Sequence, residues 1–205
     1  HNFCQGSPLS PKFMDSVRDL ANKYGLNIHL DGARLFNAAV AQNTEVKELT
    51  RQVDSVMFCL SKGLSAPVGS LVCSNQDFIQ RARKFRKKVG GGMRQAGHLA
   101  AAGLVALDSL VERLQEDHQN TQSLADLLSS IKGIELDREN IKTNIIFFKL
   151  NSDQIDGDTF INRLEEKSIQ ILMTDPGIFR AVLHREVSAE QVKTVGKTIQ
   201  SILSP

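Results

Sequence analysis

Cysteine is scarce in this sequence, and the few present form no pattern. Cys4, Cys59 and Cys73 are too few and too scattered for a disulfide framework or a zinc site, so no metal is expected. Cys59 falls within an apolar run and reads as a small core residue. This usage fits a reducing compartment, the cytosol first and the mitochondrial matrix second. An excess of either charge is also lacking. The formal net charge is only +2, which gives no overall pull on nucleic acid or an anionic membrane. No apolar run approaches the ~20 residues of a membrane span, and no basic-then-apolar segment marks a signal peptide. Repeats and low-complexity tracts are missing too. Gly90-Gly91-Gly92 has the spacing of neither a dinucleotide fingerprint nor a Walker loop.

What is present is an ordinary globular composition, 41% hydrophobic and 23% charged over 205 residues, enough for a normal core in one large domain or two unequal lobes. Ser10 before Pro11 signals a helix start, and Gly25 its end. Residues 27–30 read as a short buried strand stopping at Asp31-Gly32. Helical stretches follow at 35–40 and 46–51, then a second buried strand at 55–60 running into Ser61-Lys62-Gly63. A third strand is expected near 68–73, a basic helix over 76–89, an apolar helix over 95–114 and another helix over 119–131. The later pattern is more mixed: a strand at 143–150, a helix at 158–167, strands at 168–172 and 180–184, and a final helix opened by the capping box Ser188-Ala189-Glu190-Gln191. The alternation predicts a parallel α/β lobe over residues 1–118 and a small α+β domain over 119–205, divided near Glu116 to Asn120.

Asp31 and Lys62 each follow a predicted strand, and enough chain separates those strands for a helical crossover. In an open parallel sheet, ligands bind beyond the carboxyl ends of the strands. If the two strands are neighbours, an acid and an amine enter one crevice. That is the pair a pyridoxal-phosphate (PLP) enzyme needs: the amine condenses with the cofactor aldehyde, and the acid keeps the ring nitrogen protonated. Each residue alone also fits a plainer role, Asp31-Gly32 a turn and Ser61-Lys62-Gly63 a solvent loop. The cations Arg81, Arg83, Lys84, Arg86, Lys87 and Lys88 have only Phe85 interleaved, which suits a solvated helix face better than a nucleic-acid surface. His98 and His118 fall in helical stretches as structural or exposed residues.

The segment from His29 to Ala38, with Asp31-Gly32-Ala33-Arg34 at its centre, resembles the ring-nitrogen aspartate motif of threonine aldolases. Leu60-Ser61-Lys62-Gly63-Leu64 with Pro67-Val68-Gly69-Ser70 is similar to that family's Schiff-base segment, and Gly90 to Gly97 to a third motif. The likeness continues through Leu114 to His118, Thr143-Asn144 and Arg180 to His184. It implies PLP-enzyme fold type I: a three-layer large α/β domain, incomplete at its N-terminus here, and a small α+β domain. It further implies that Lys62 carries the cofactor as a Schiff base and that Asp31 pairs with its ring nitrogen. Arg34 is implied beside the ring and substrate, Arg180 at the substrate carboxylate, and Lys87 and Arg94 at the cofactor phosphate across a subunit interface. Arg180 alone would also fit a surface pair with Asp175.

The implied activity is cleavage of L-threonine or L-allo-threonine to glycine and acetaldehyde by a homodimer or homotetramer acting on a small amino acid. Two alternatives stand beside it. One is a related β-eliminating lyase, and the other a shortened paralogue that docks on a full-length subunit. Motivating the last, the first residue is His1, and family members carry a preceding portion with the phosphate-cupping turn and two active-site histidines. His1 resembles a residue past those sites.

Overall fold

The hydroxyl of Ser10 accepts from the Phe13 N–H at 3.2 Å, and Pro11 occupies the first turn, so helix α1 (Pro11–Tyr24) begins where the sequence predicts. Gly25, at φ +63°, ends it in the left-handed conformation that a side chain would resist. A computed structural model describes residues 6–204; His1 and Cys4 lie outside the described residues.

After α1 come β1 (His29–Asp31), α2 (Leu35–Ala41), α3 (Val46–Thr50), β2 (Ser55–Cys59), β3 (Ser70–Ser74), α4 (Gln76–Lys88) and α5 (Gly97–Ser109). Leu9–Leu114 forms one compact unit with a sheet ordered β1-β2-β3. Strand β1 runs parallel to β2 with Asp31 opposite Met57. Helices α2 and α3 supply Leu35, Ala38, Ala39 and Leu49 to a small core with Val56 of β2. A second cluster joins Leu60, Leu64 and Ala66, from the loop after β2, to Ala106 of α5 and Leu114. Phe58 touches both clusters and meets Phe36 edge-on at 5.3 Å. The entry to the sheet is pinned by Asp54. Its carboxylate accepts from the Ile28 N–H at 2.7 Å and from Arg18 at 2.9 Å, while Arg18 also donates to the Gln52 carbonyl. The Ile28 N–H first, and Arg18 after it, hold the Asp54 carboxyl below the ordinary carboxylate range.

The second unit runs from Gln115 onward, and Gly6 joins it, its carbonyl accepting from Thr143 Oγ1 at 2.7 Å. Helix α6 (Leu114–Ser129) leads into it. Beyond lie β4 (Ile134–Glu135), β5 (Ile145–Leu150), α7 (Gly157–Glu165), β6 (Leu172–Asp175), β7 (Ile178–Val182) and α8 (Ala189–Leu203). Its sheet is antiparallel throughout, ordered β4-β5-β7-β6. The three helices give Leu124, Leu128, Phe160, Leu164, Val192 and Ile199 to one core with Phe148 and Phe179. Phe148, Phe160 and Phe179 stack and meet edge-on at 5.0–6.4 Å. The capping box forms as expected: Ser188 accepts from the Gln191 N–H, and Gln191 accepts from the Ser188 N–H.

Several expectations need correction. The first sheet is mixed rather than parallel, because β3 runs antiparallel to β2; the joining residues 60–69 fall short of the dozen or more that a parallel crossover needs. Strand β1 is not buried: His29 and Asp31 are exposed, since β1 has β2 on one side and no strand on the other among the described residues. The apolar helix expected over 95–114 stops at Ser109, and the next starts at Leu114 rather than near Gln119. Buried Asp117, His118 and Thr121 interrupt the apolar periodicity there and hide the first turns of α6. Residues 168–169 close α7 instead of opening a strand, because their N–H groups donate to Glu165 and Leu164 carbonyls. Strand β6 follows at Leu172. Strand β4 is too short to show alternation and went unpredicted.

His118 is buried, and desolvation pushes its pKa from 6.5 down to about 4. A depressed histidine pKa leaves the imidazole neutral in the fold. Its contribution is intact above pH 6.5 and is lost as pH falls toward 4, because only the unfolded chain then takes up the proton readily. Between pH 7 and pH 5 the loss should reach about 2 kcal/mol, at ~1.4 kcal/mol per unit. Urea-unfolding midpoints at the two pH values, for wild type and His118→Gln, measure it. The variant should show the smaller drop.

Candidate active site

Asp31 is the last residue of β1, and its carboxylate does not point away from the chain idly. Its Oδ1 accepts from the Ala33 N–H at 3.1 Å, making the turn that starts α2. Gly32 carries the parallel ladder one residue further by donating to the Met57 carbonyl at 2.9 Å. A Cβ at Gly32 would lie 2.8 Å from that carbonyl oxygen and 3.2 Å from Val56 Cγ2, so only glycine lets the strand end approach β2 this closely. Arg34 is next, half-buried at the N-cap of α2.

Lys62 sits just past the end of β2 in a loop closed on itself. Leu60 N–H donates to the Gly69 carbonyl, Ser65 N–H to the Lys62 carbonyl at 2.8 Å, and Ala66 N–H to the Leu60 carbonyl at 3.0 Å. Leu60, Leu64 and Ala66 are anchored in the core, whereas Ser61 and Lys62 are exposed. The chain thus alternates anchors and free positions, and the lysine amine is held out in solvent by a fixed backbone. Because β1 and β2 are adjacent and parallel, Asp31 and Lys62 occupy the same end of the sheet, the condition on which the sequence argument rested.

The other candidates fall elsewhere. Lys87 lies on α4, which is capped by Asn75 and has no buried residue, and it lines a shallow depression with Arg83, Lys84 and Lys88. Gly90, at φ +86°, ends that helix. Arg94 is exposed in the loop before α5. Arg180 belongs to the second unit, in the middle of β7, opposite Phe147 of β5 and Leu172 of β6. Its neighbours Phe179 and Ala181 enter the core, so by strand alternation Arg180 faces the other side of the sheet. Burial lowers its pKa from the usual arginine value, yet it stays charged. Asp175 pairs in register with Ile178, not with Arg180. One polar residue that the sequence reading passes over is Asn37, buried on α2 against the lysine loop. Its signal was an amide inside the apolar run from Leu35 to Val40.

Residues 1–151 match the family model described as "Beta-eliminating lyase". The chain is 39% identical to "Low-specificity L-threonine aldolase 1" of Arabidopsis thaliana over 91% of its own length and 52% of that protein's. It is 40% identical to "Low specificity L-threonine aldolase" of Escherichia coli (strain K12) over 99% of its length and 59% of that protein's. It therefore spans just over half the length of these relatives. Among solved structures, a putative L-allo-threonine aldolase from Listeria monocytogenes EGD-E superposes with a TM-score of 0.78 at 17% identity, covering 96% of this chain and 58% of that one. A threonine aldolase from Leishmania major gives 0.76 at 18%, covering 98% and 58%.

Gly32→Ala should destabilise the first unit by about 1–3 kcal/mol, the usual cost of overpacking, despite the stiffer unfolded chain that alanine brings. Thermal or urea unfolding checks this; a stability equal to wild type would mean that β1 and β2 separate without cost. The family match over residues 1–151 and sequence identity across nearly the whole chain lead to one conclusion: this chain belongs to the beta-eliminating lyase family, and its relatives include proteins named low-specificity L-threonine aldolase.

Proposed function

We propose that this chain is part of a PLP-dependent aldehyde-lyase that cleaves L-threonine or L-allo-threonine to glycine and acetaldehyde. The observation that carries the reading is Asp31 and Lys62 at the carboxyl ends of adjacent parallel strands. An exposed amine on a fixed loop and a carboxylate at a strand end form a donor set suited to PLP. Bound there, the cofactor supplies an electron sink for the carbon carrying the substrate amine. The remaining roles belong to the chain. Lys62 would hold the cofactor through its side-chain amine. Asp31 keeps the ring nitrogen protonated. Arg34 stands beside ring and substrate, and Arg180 fixes the substrate carboxylate with a planar two-point contact.

In this reading the fold is PLP-enzyme fold type I, with the first unit part of the large domain and the second unit the small domain. Lys87 and Arg94 reach the cofactor phosphate of a neighbouring subunit in a homodimer or homotetramer. The absence of any buried residue on α4 in one chain supports that placement. Cytosol is the expected compartment, with the mitochondrial matrix next.

Product analysis of the holoprotein tests the reaction. Acetaldehyde and glycine are expected from threonine, whereas ammonia and a keto acid would indicate β-elimination. Borohydride reduction followed by peptide mass spectrometry should place the pyridoxyl group on Lys62, and an adduct on another lysine would sink the assignment. Asp31→Asn should lower turnover far more than cofactor occupancy, because the ring's electron withdrawal matters most at the transition state. Arg180→Ala should raise the KM for threonine about ten- to hundredfold, the range for losing hydrogen bonds to a charged group. Arg180→Lys should recover only part.

A further inference from the structure

The amine of Lys62 is exposed, but the next residue, Gly63, is buried, and what surrounds Gly63 determines where Lys62 can be. A Cβ at Gly63 would lie 2.7 Å from Leu114 Cδ2 and 3.0 Å from Asn37 Oδ1, with Asn37 Nδ2 at 3.5 Å. Leu114 is 0% exposed and Asn37 2% exposed. Neither can swing into solvent to make room.

Asn37 is out of character for its surroundings. Its helix, α2, turns Leu35, Ala38 and Ala39 into an apolar core, yet the Asn37 amide is buried among them. The same helix is continuous with the acid's strand. The Gly32 carbonyl accepts the Leu35 N–H at 2.7 Å, and Arg34 occupies the N-cap position. Asn37 is thus a rigid extension of the segment that carries Asp31, and it abuts the loop that carries Lys62.

We infer that Asn37 is a positioning residue for Lys62. Two contacts set the spacing between acid and amine. Just past the end of β1, Gly32 N–H holds Met57 O; further on, Asn37 and Leu114 form a wall against which Gly63 packs. The inference rests on the reading of Lys62 as the cofactor lysine. It adds that the lysine's reach is fixed from α2, not by its own loop alone. An active-site misplacement of ~1 Å can cost about a hundredfold in rate, so removing the wall and pushing on it should both be visible.

The test uses the PLP-loaded enzyme with Asn37→Ala, Asn37→Ser, Gly63→Ala and the double variant Asn37→Ala/Gly63→Ala. Borohydride trapping first locates the pyridoxyl group in wild type. If it is not on Lys62, the functional reading fails. With that settled, the pH midpoint of the visible absorbance of the lysine–cofactor linkage should move in each single variant. In each, kcat for threonine should fall about ten- to hundredfold while KM changes less than about threefold. The double variant should lose less than the product of the single losses, since the two positions touch. Asn37→Ser leaves only a small gap and serves should the larger truncation fail to fold. Folded Asn37 variants with the wild-type absorbance midpoint and kcat, or losses that simply multiply in the double variant, would overturn the inference.

Discussion

The parallel pairing of β1 with β2 is the constraint on which the rest of the first unit depends. Three residues of β1 lie opposite Ser55, Val56 and Met57, a short ladder that would be weak by itself. It is reinforced at both ends. At the entry, Asp54 and Arg18 tie the chain before β1 to the chain before β2. At the exit, Gly32 donates one more ladder bond to Met57. A slip of one residue would turn every side chain of β1 to the opposite face and carry Asp31 away from the end of the sheet where Lys62 emerges. Fixing the register and composing the acid–amine pair are therefore the same event.

In the second unit, one guanidinium is carried on a stiff support. Arg180 lies in a strand with neighbours on both sides, and the aromatic cluster beneath β7 leaves that strand little freedom. Partial burial strips water from the guanidinium and strengthens any charge-assisted bond it makes. A loop arginine would keep the charge but lose the fixed direction.

Much of this was legible in the sequence because the signals were local. Ser10-Pro11, Ser188 to Gln191 and Gly25 are end markers that act within one turn, and each does what its chemistry predicts. Asp31 and Lys62 stood out because a polar residue directly after an apolar run is easy to see. What escaped depends on contacts far apart along the chain. The direction of β3 is decided by how short the connection is, not by the composition of the strand. The exposure of β1 follows from its place at the edge of the sheet among the described strands, which apolar Ile28 and Leu30 cannot reveal. Asn37 passed unnoticed inside an apolar helical run, since only the fold brings Gly63 against it, and α6 hid its start behind buried polar residues that apolar counting scores as surface.

Helix α4 has a consequence of another kind. None of its thirteen residues is buried, and only Phe78, Ile79 and Ala82 are half-buried, so little apolar packing holds it, and helices of this length are marginal in water. What favours it is local: the Asn75 cap, Asp77 in its first turn, and Arg86, Lys87 and Lys88 in its last. A segment of that kind opens cheaply and often, and its backbone amides should exchange with solvent long before those of β2 or β7. Anything that docks on its cationic side must also supply the free energy of ordering it, so tight binding and a quiet helix should arrive together.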